Sequence, residues 1–257
     1  MKINYDHAKN THTLKGPLAA LPLLFPKEIP KKILDVGCGT GTWLRAAKEL
    51  GAEKILGIDG VVIPRDQLLI DSKDFQKRNL TKPIILNKRF DAVFCLEVAE
   101  HLHKKNATNL IKILTRHSNT ILFSAACPGQ GGQNHVNCQW PEYWQALFNK
   151  KGFVCEDYLR WKIWAVKEIE PWYRQNIFLA QRNPRLAGKE ARIRRVVHPE
   201  IEINGRTVAE KQKEDERKEQ IRLIEKGSKP TAWYWKCLLF SHSAKAKRIL
   251  SKILPSI

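Results

Sequence analysis

Residues 97–101 read Glu-Val-Ala-Glu-His, directly after the apolar run Ala92-Val93-Phe94-Cys95-Leu96 and before Leu102. Two carboxylates and an imidazole therefore crowd the point where a buried strand gives way to a helix. With helical spacing Glu97, Glu100 and His101 share one face of the first turn, because positions three and four apart are neighbours. A set of carboxylate oxygens and an imidazole nitrogen has the chemistry to hold a divalent cation.

The stretch Leu34-Asp35-Val36-Gly37-Cys38-Gly39-Thr40-Gly41 is the most specific in the chain. An apolar strand ends in a glycine-rich turn that opens a helix, and glycines let the backbone turn sharply and approach a ligand closely. Asp35, two residues before the first glycine, separates two kinds of ligand. A dinucleotide places a pyrophosphate over this turn, and a nearby carboxylate repels it. S-adenosylmethionine has no phosphate but carries an ammonium and a sulfonium, which a carboxylate favours. The next strand ends in Ile58-Asp59, about 20 residues on, where a carboxylate can accept from both ribose hydroxyls. Asn79-Leu80 follows, with an amide for the adenine edge and an apolar side chain for its face.

The elements that must position these groups alternate in type. Strand-like runs cover 32–36, 54–58, 90–96 and 120–124, with a short strand expected near Leu68-Leu69-Ile70. Helical patterns cover Thr42 to Leu50, Leu102 to Arg116 and Pro141 to Lys150, and Phe153 to Trp164 with Asn176 to Gln181 reads as a closing hairpin. Such alternation predicts an α/β, doubly wound, mostly parallel sheet with helices on both faces. Composition shifts after Asn183-Pro184, so the division expected is a domain over 1–183 and a basic, helical extension over 184–257. The extension includes Glu210 to Lys226, which reads as a solvated helix, and the aromatic cluster Trp233-Tyr234-Trp235. It carries roughly half of the formal net charge of +19, a charge that attracts polyanions without choosing among them. Cys38, Cys95, Cys127, Cys138, Cys155 and Cys237 form no Cys-x-x-Cys pair and read as reduced residues, mostly of the core. The apolar stretch from Pro17 to Phe25 is interrupted by proline and leads into the first strand, unlike a signal peptide. No apolar run is long enough to span a membrane, and the expected location is cytoplasmic.

Taken as a set, Asp35 to Gly41, Ile58-Asp59, Asn79-Leu80 and Phe90 to Leu102 resemble the successive motifs of class I S-adenosylmethionine-dependent methyltransferases. The resemblance covers about residues 30–183, and 68–70, 80–83, 96–102 and 123–144 resemble a bacterial and viral group of mostly unassigned substrate. It implies a seven-stranded Rossmann-like methyltransferase sheet, with S-adenosylmethionine held by Asp35, Gly37, Gly39, Gly41, Asp59, Asn79, Leu80, Leu96 and Glu97. Relatives usually have aspartate at the position of Asn79, whose amide oxygen can still meet the adenine amino group. The Glu-x-x-Glu-His pattern is similar to the metal-binding segment of two methyltransferase groups, acting on the terminal 2′-hydroxyl of small RNAs or on catechol-like hydroxyls. In the RNA group a histidine from the loop after the fifth strand completes the site; here that loop is Pro128 to Asn137 and offers His135.

Three readings of the polar cluster follow. Glu97 touches the donor while Glu100 and His101 cap and orient the helix, in line with its dipole. Alternatively Glu97, Glu100, His101 and His135 hold Mg2+ or Mn2+, which acidifies an acceptor hydroxyl. Or His135 or His101 acts alone as general base. All three favour an O-methyltransferase, its acceptor a hydroxyl of a small polar molecule or glycan, with catalytic candidates His135 and His101. The alternatives are an RNA terminal ribose 2′-O-methyltransferase and a non-catalytic donor-binding module. Trp140, Tyr143 and Trp144, just beyond the loop, read first as core. The basic extension reads plainly as a solvated face packed on the domain or paired with another subunit; its two functional readings are peripheral contact of the segment 243–254 with an anionic membrane, or a grip on RNA by Arg192, Arg194 and Arg195 with the aromatic cluster.

Overall fold

The computed structural model describes residues 13–203, 206–227 and 230–234. The chain divides into two compact units, residues 1–205 and 206–257.

The first unit is built on short apolar strands. Strands β1 (Lys32–Val36), β2 (Lys54–Asp59), β3 (Phe75–Lys77), β4 (Ala92–Leu96), β5 (Thr120–Ser124), β6 (Phe153–Glu156) and β7 (Phe178–Arg182) form one seven-stranded sheet. Its order is β3-β2-β1-β4-β5-β7-β6, parallel except for β7, which is antiparallel to both neighbours. Every residue of β4 is buried, as expected of a parallel strand covered on both faces. Successive side chains point to opposite faces, so Val93 and Cys95 enter one core and Ala92 and Phe94 the other. Helices α3 (Ala107–His117) and α4 (Pro141–Asn149) close the first core with Leu110, Leu114, Trp144 and Phe148. Helices α1 (Lys15–Leu24), α2 (Thr42–Glu49), α5 (Tyr158–Ile163) and α6 (Pro171–Asn176) close the second with Leu21, Leu44, Leu159 and Tyr173. The apolar N-terminal stretch is thus α1, packed into that core with Ala20 and Leu21 fully buried.

Several boundaries differ from the sequence expectation. The third strand forms at Phe75–Lys77, whereas residues 68–70 follow a 3-10 turn and place Ile70 against Gly41. The expected strand-rich hairpin over 153–164 is only β6; the chain then folds into α5 and α6 before β7. Residues 102–106 are not the start of a helix: 3-10 turns span Ala99–His101 and Lys104–Asn106, and α3 begins at Ala107. Residues 184–203, grouped by composition with the extension, belong to the first compact unit. They are fastened by specific contacts rather than by apolar periodicity. Ile193 enters the core, its amide donates to Gln145 Oε1, and Arg174 pairs with Glu200.

In the second unit, helix α7 (Val208–Glu225) confirms the helical charged run, with ion pairs Lys218–Glu214 and Arg222–Glu219. Trp235, Cys237 and the amphipathic tail 241–257 lie outside the described residues. No described helix is long and apolar enough to cross a membrane.

Candidate active site

The carboxyl ends of β1, β2 and β4 open onto a cleft of about 820 Å³, at the edge where open α/β sheets bind ligands. Its wall includes Asp35, Gly37, Gly39, Asp59, Leu80, Leu96 and Glu97, seven of the nine expected donor-binding residues. Gly41 stands behind the wall as the left-handed N-cap of α2, pressed against Ile70. Asn79 is exposed outside it, and its side-chain oxygen accepts from the amide and hydroxyl of Thr81 in a local turn. Its assignment to the adenine edge is therefore not supported by its placement.

The glycine turn is stitched to the end of β2. Ile58 O accepts from the amides of Gly37 and Cys38, at 2.7 and 3.2 Å. Asp59 accepts from Gly39 N (2.9 Å) and Val61 N (2.8 Å), which fixes its carboxylate at the cleft. Gly37 has φ +86° and no room for a Cβ, which would strike Val98. Asp35 is 3% exposed; burial, and then the charge of Asp59, pushes its carboxyl up to about 8. A cation beside Asp35 would reverse that effect.

At the end of β4 the backbone departs from regular structure. Glu97 has φ +54°, a left-handed conformation uncommon for a residue with a side chain. Its amide is held by Ser124, and its carboxylate accepts from Asn176 Nδ2 (3.1 and 3.3 Å) and Gln130 Nε2 (3.2 Å). Burial pushes Glu97 up to about 7, against the lowering effect of the Ser124, Asn176 and Gln130 hydrogen bonds. This kink removes Glu97 from the helical face expected to carry it with Glu100 and His101.

Glu100 is fully buried, and neither carboxylate oxygen makes a well-formed hydrogen bond. Burial first, then the Glu97 charge, raises its carboxyl well above the ordinary range. Ligand atoms of Glu100, His101 and His135 lie within 4.8 Å of one another. Glu97, expected in the same ligand set, is not part of that group. His101 lines the cleft, and the His135 ring meets it edge-on with centroids 5.0 Å apart. His135 Nδ1 lies 3.2 Å from Gln130 O. A carbonyl only accepts, so Nδ1 carries the proton and Nε2 keeps its lone pair. Burial lowers the His135 pKa, which favours that neutral form.

Tyr173, Gln175 and Asn176 carry no motif in the sequence and reach the site only in the fold. Tyr173 and Trp43 line the cleft with ring centroids 5.0 Å apart. Gln175 donates to Gln130 and Asn176 and accepts from His198 N, joining the segment after β7 to the amides that hold Glu97. The only linear signal was the polar Arg-Gln-Asn run just before β7. The core reading holds for Trp144, 1% exposed against Phe123. Cys38, Cys95, Cys127 and Cys155 are buried free thiols, and Cys138 is a half-buried one.

Comparison with known proteins gives the same fold. The sugar N-methyltransferase KedS8 of a Streptoalloteichus species superposes with a TM-score of 0.53 at 14% identity, covering 69% of this chain and 91% of that one. The magnesium protoporphyrin IX methyltransferase of Synechocystis, with S-adenosylmethionine bound, superposes with a TM-score of 0.47 at 17% identity, covering 66% and 78%. The ribosomal protein L11 methyltransferase of Fusobacterium nucleatum is 29% identical over 102 residues, 37% of this chain and 32% of that protein. The chain therefore spans about a third of the length of that curated relative. The methyltransferase-domain family matches residues 9–162, more than half of the chain. With the seven-stranded topology and the glycine turn in place, the chain belongs to the class I S-adenosylmethionine-dependent methyltransferase family.

Proposed function

We propose that this chain transfers the methyl group of S-adenosylmethionine to a hydroxyl oxygen of a sugar-containing acceptor, with the first compact unit as its catalytic domain. The observation that carries this reading is the convergence of Glu100, His101 and His135 at the cleft, ligand atoms within 4.8 Å. Asp59 accepts from the donor ribose, Leu80 covers the adenine, and Asp35 faces the donor's ammonium. Glu97, fixed by Asn176 and Gln130, orders the methyl end of the cleft.

An alcohol is a weak nucleophile with a high pKa, so its proton must leave as the methyl arrives. His135 Nε2 is the acceptor for that proton, its tautomer set by the Gln130 carbonyl. In the alternative form of the chemistry the same three residues fit a divalent cation, His135 Nε2 then being a ligand instead of the base: one carboxylate and two imidazoles converge, and the buried Glu100 oxygens want a positive partner. Such an ion, Mg2+ or Mn2+, would supply Lewis acidity that lowers the pKa of a coordinated hydroxyl. Glu100, His101 and His135 would hold it. The reduced cysteines support a cytoplasmic setting.

Incubating a cell extract with enzyme and methyl-labelled donor, followed by mass spectrometry, tests the reaction. Label on an oxygen of a sugar-containing product is expected; label on nitrogen, or no transfer, overturns the reading. Mn2+ should raise the thermal midpoint of the wild-type protein and leave that of Glu100→Gln unchanged. Equal shifts in both place the ion elsewhere.

A further inference from the structure

Beyond the methyl site, the same carboxyl edge of the sheet carries a second concave surface. Strand β6 is parallel to β5, so its last residues emerge on the edge that holds the cleft. There a groove of about 1070 Å³ is lined by Tyr158 and Trp161 of α5 and by Arg192 and Arg194. Tyr158 and Trp161 lie three apart on one helix face and are each 46% exposed, unusual for rings of this size. Lys162 Nζ stands 5.3 Å from the Tyr158 ring centre.

The basic side of the groove is preorganised. Residues 192–194 alternate, with Ile193 buried at 3% and Arg192 and Arg194 turned outward. The Ile193 amide is anchored on Gln145 and the Arg194 carbonyl on Arg160. One residue on, Arg195 lies over the Trp140 ring, 5.5 Å from its centre, beside the end of the loop that carries His135. Arg192 and Arg195 share the single carboxylate of Glu142, which leaves one positive charge between them. Of the three carboxylates that line the groove, Asp157 is paired with Arg160 and Glu190 is bound by Asn149, Gln145 and two backbone amides, while Glu156 is exposed. The surface thus runs from the half-buried Trp140 under Arg195, through Arg192 and Arg194, to the exposed rings of Trp161 and Tyr158. From β4 to β6 is three strand spacings, about 14 Å.

We propose that this track binds a single-stranded polynucleotide whose sugar hydroxyl is presented at His135. The guanidinium groups meet phosphates and the rings stack on bases, a pairing that tracks a strand without reading its sequence. Exposed rings spaced along a basic track favour a polynucleotide over a lipid headgroup, which offers phosphate but no bases. The inference deepens the function proposed above and rests on it for the position of the reacting hydroxyl.

The test is binding of a short fluorescein-labelled single-stranded RNA to the full-length protein, followed by anisotropy across a salt series without donor. Affinity should fall steeply with salt, and Arg192→Glu with Arg194→Glu should weaken it at least tenfold. That double variant should also flatten the log–log salt slope by about 1.4, the value for two lost single-strand phosphate contacts. Trp161→Ala should cost about tenfold while leaving the slope unchanged. His135→Ala should bind RNA like the wild type, so binding can stand even if the catalytic assignment falls. Unaltered binding in the double variant and Trp161→Ala overturns the track, as does tighter binding to phosphatidylglycerol vesicles than to RNA through the same residues.

Discussion

Asp35 makes donor affinity a function of pH. Its carboxyl is 3% exposed and pushed up to about 8 by burial and then by Asp59. A donor ammonium is stabilised by the ionised form alone, so below that value binding must first remove a proton. Between about pH 7.5 and pH 5.5 the ionised fraction of such a group falls about 75-fold, which corresponds to about 2.6 kcal/mol. Across this window the donor's ammonium stays mostly protonated, its ordinary range lying just above pH 7.5, and its sulfonium charge does not titrate. Titration calorimetry in buffers of different ionisation enthalpy should show affinity rising towards pH 7.5, with close to one proton released per donor bound at about pH 6. Asp35→Asn keeps the shape and hydrogen-bonding size of the protonated acid. It should bind as weakly as the wild type at the acidic end and show a flat profile. The folded-state value lies above the unfolded one, so Asp35 contributes stability below pH 4 that is lost as pH rises through about 8. The ligand-free wild type should therefore lose denaturation midpoint over that window relative to Asp35→Asn. A wild-type affinity as flat as that of the variant would refute the placement of Asp35 against a cation.

Other expectations follow from single contacts. His135→Ala should leave donor affinity within about twofold and lower kcat by 10²-fold or more, the ordinary range for a general base; full turnover would remove His135 from the chemistry. Gly132→Ala places a methyl group against the His135 ring at a φ of +155° that side chains rarely adopt, so turnover should fall about tenfold or more and the thermal midpoint should fall as well. Trp144→Ala should cost about 3–5 kcal/mol in urea unfolding, because a fully buried indole packed on Phe123 leaves a cavity.

What the linear sequence determined was whatever short-range rules write. The glycine turn, Asp35 and Asp59 were legible because a strand, a sharp turn and a helix leave residue types at fixed offsets, and the structure puts all three at one cleft. Buried parallel strands were legible as apolar runs, and β1, β2, β4 and β5 fall close to where they were expected. The same rules failed where a polar group chose its partner across the fold. Glu97 looked like the first residue of a helix; hydrogen bonds to Ser124, Asn176 and Gln130, up to 79 residues away in sequence, turn it out of that face. Residues 184–203 looked like a charged extension because their attachment depends on a few side-chain hydrogen bonds and two buried isoleucines, Ile193 and Ile201, rather than on periodicity. Local backbone preference and apolar spacing set the sheet and its cofactor turn, whereas only the tertiary structure separated Glu97 from the group that Glu100 and His101 form with His135. Long-range hydrogen bonds and desolvation leave no fixed spacing along a chain.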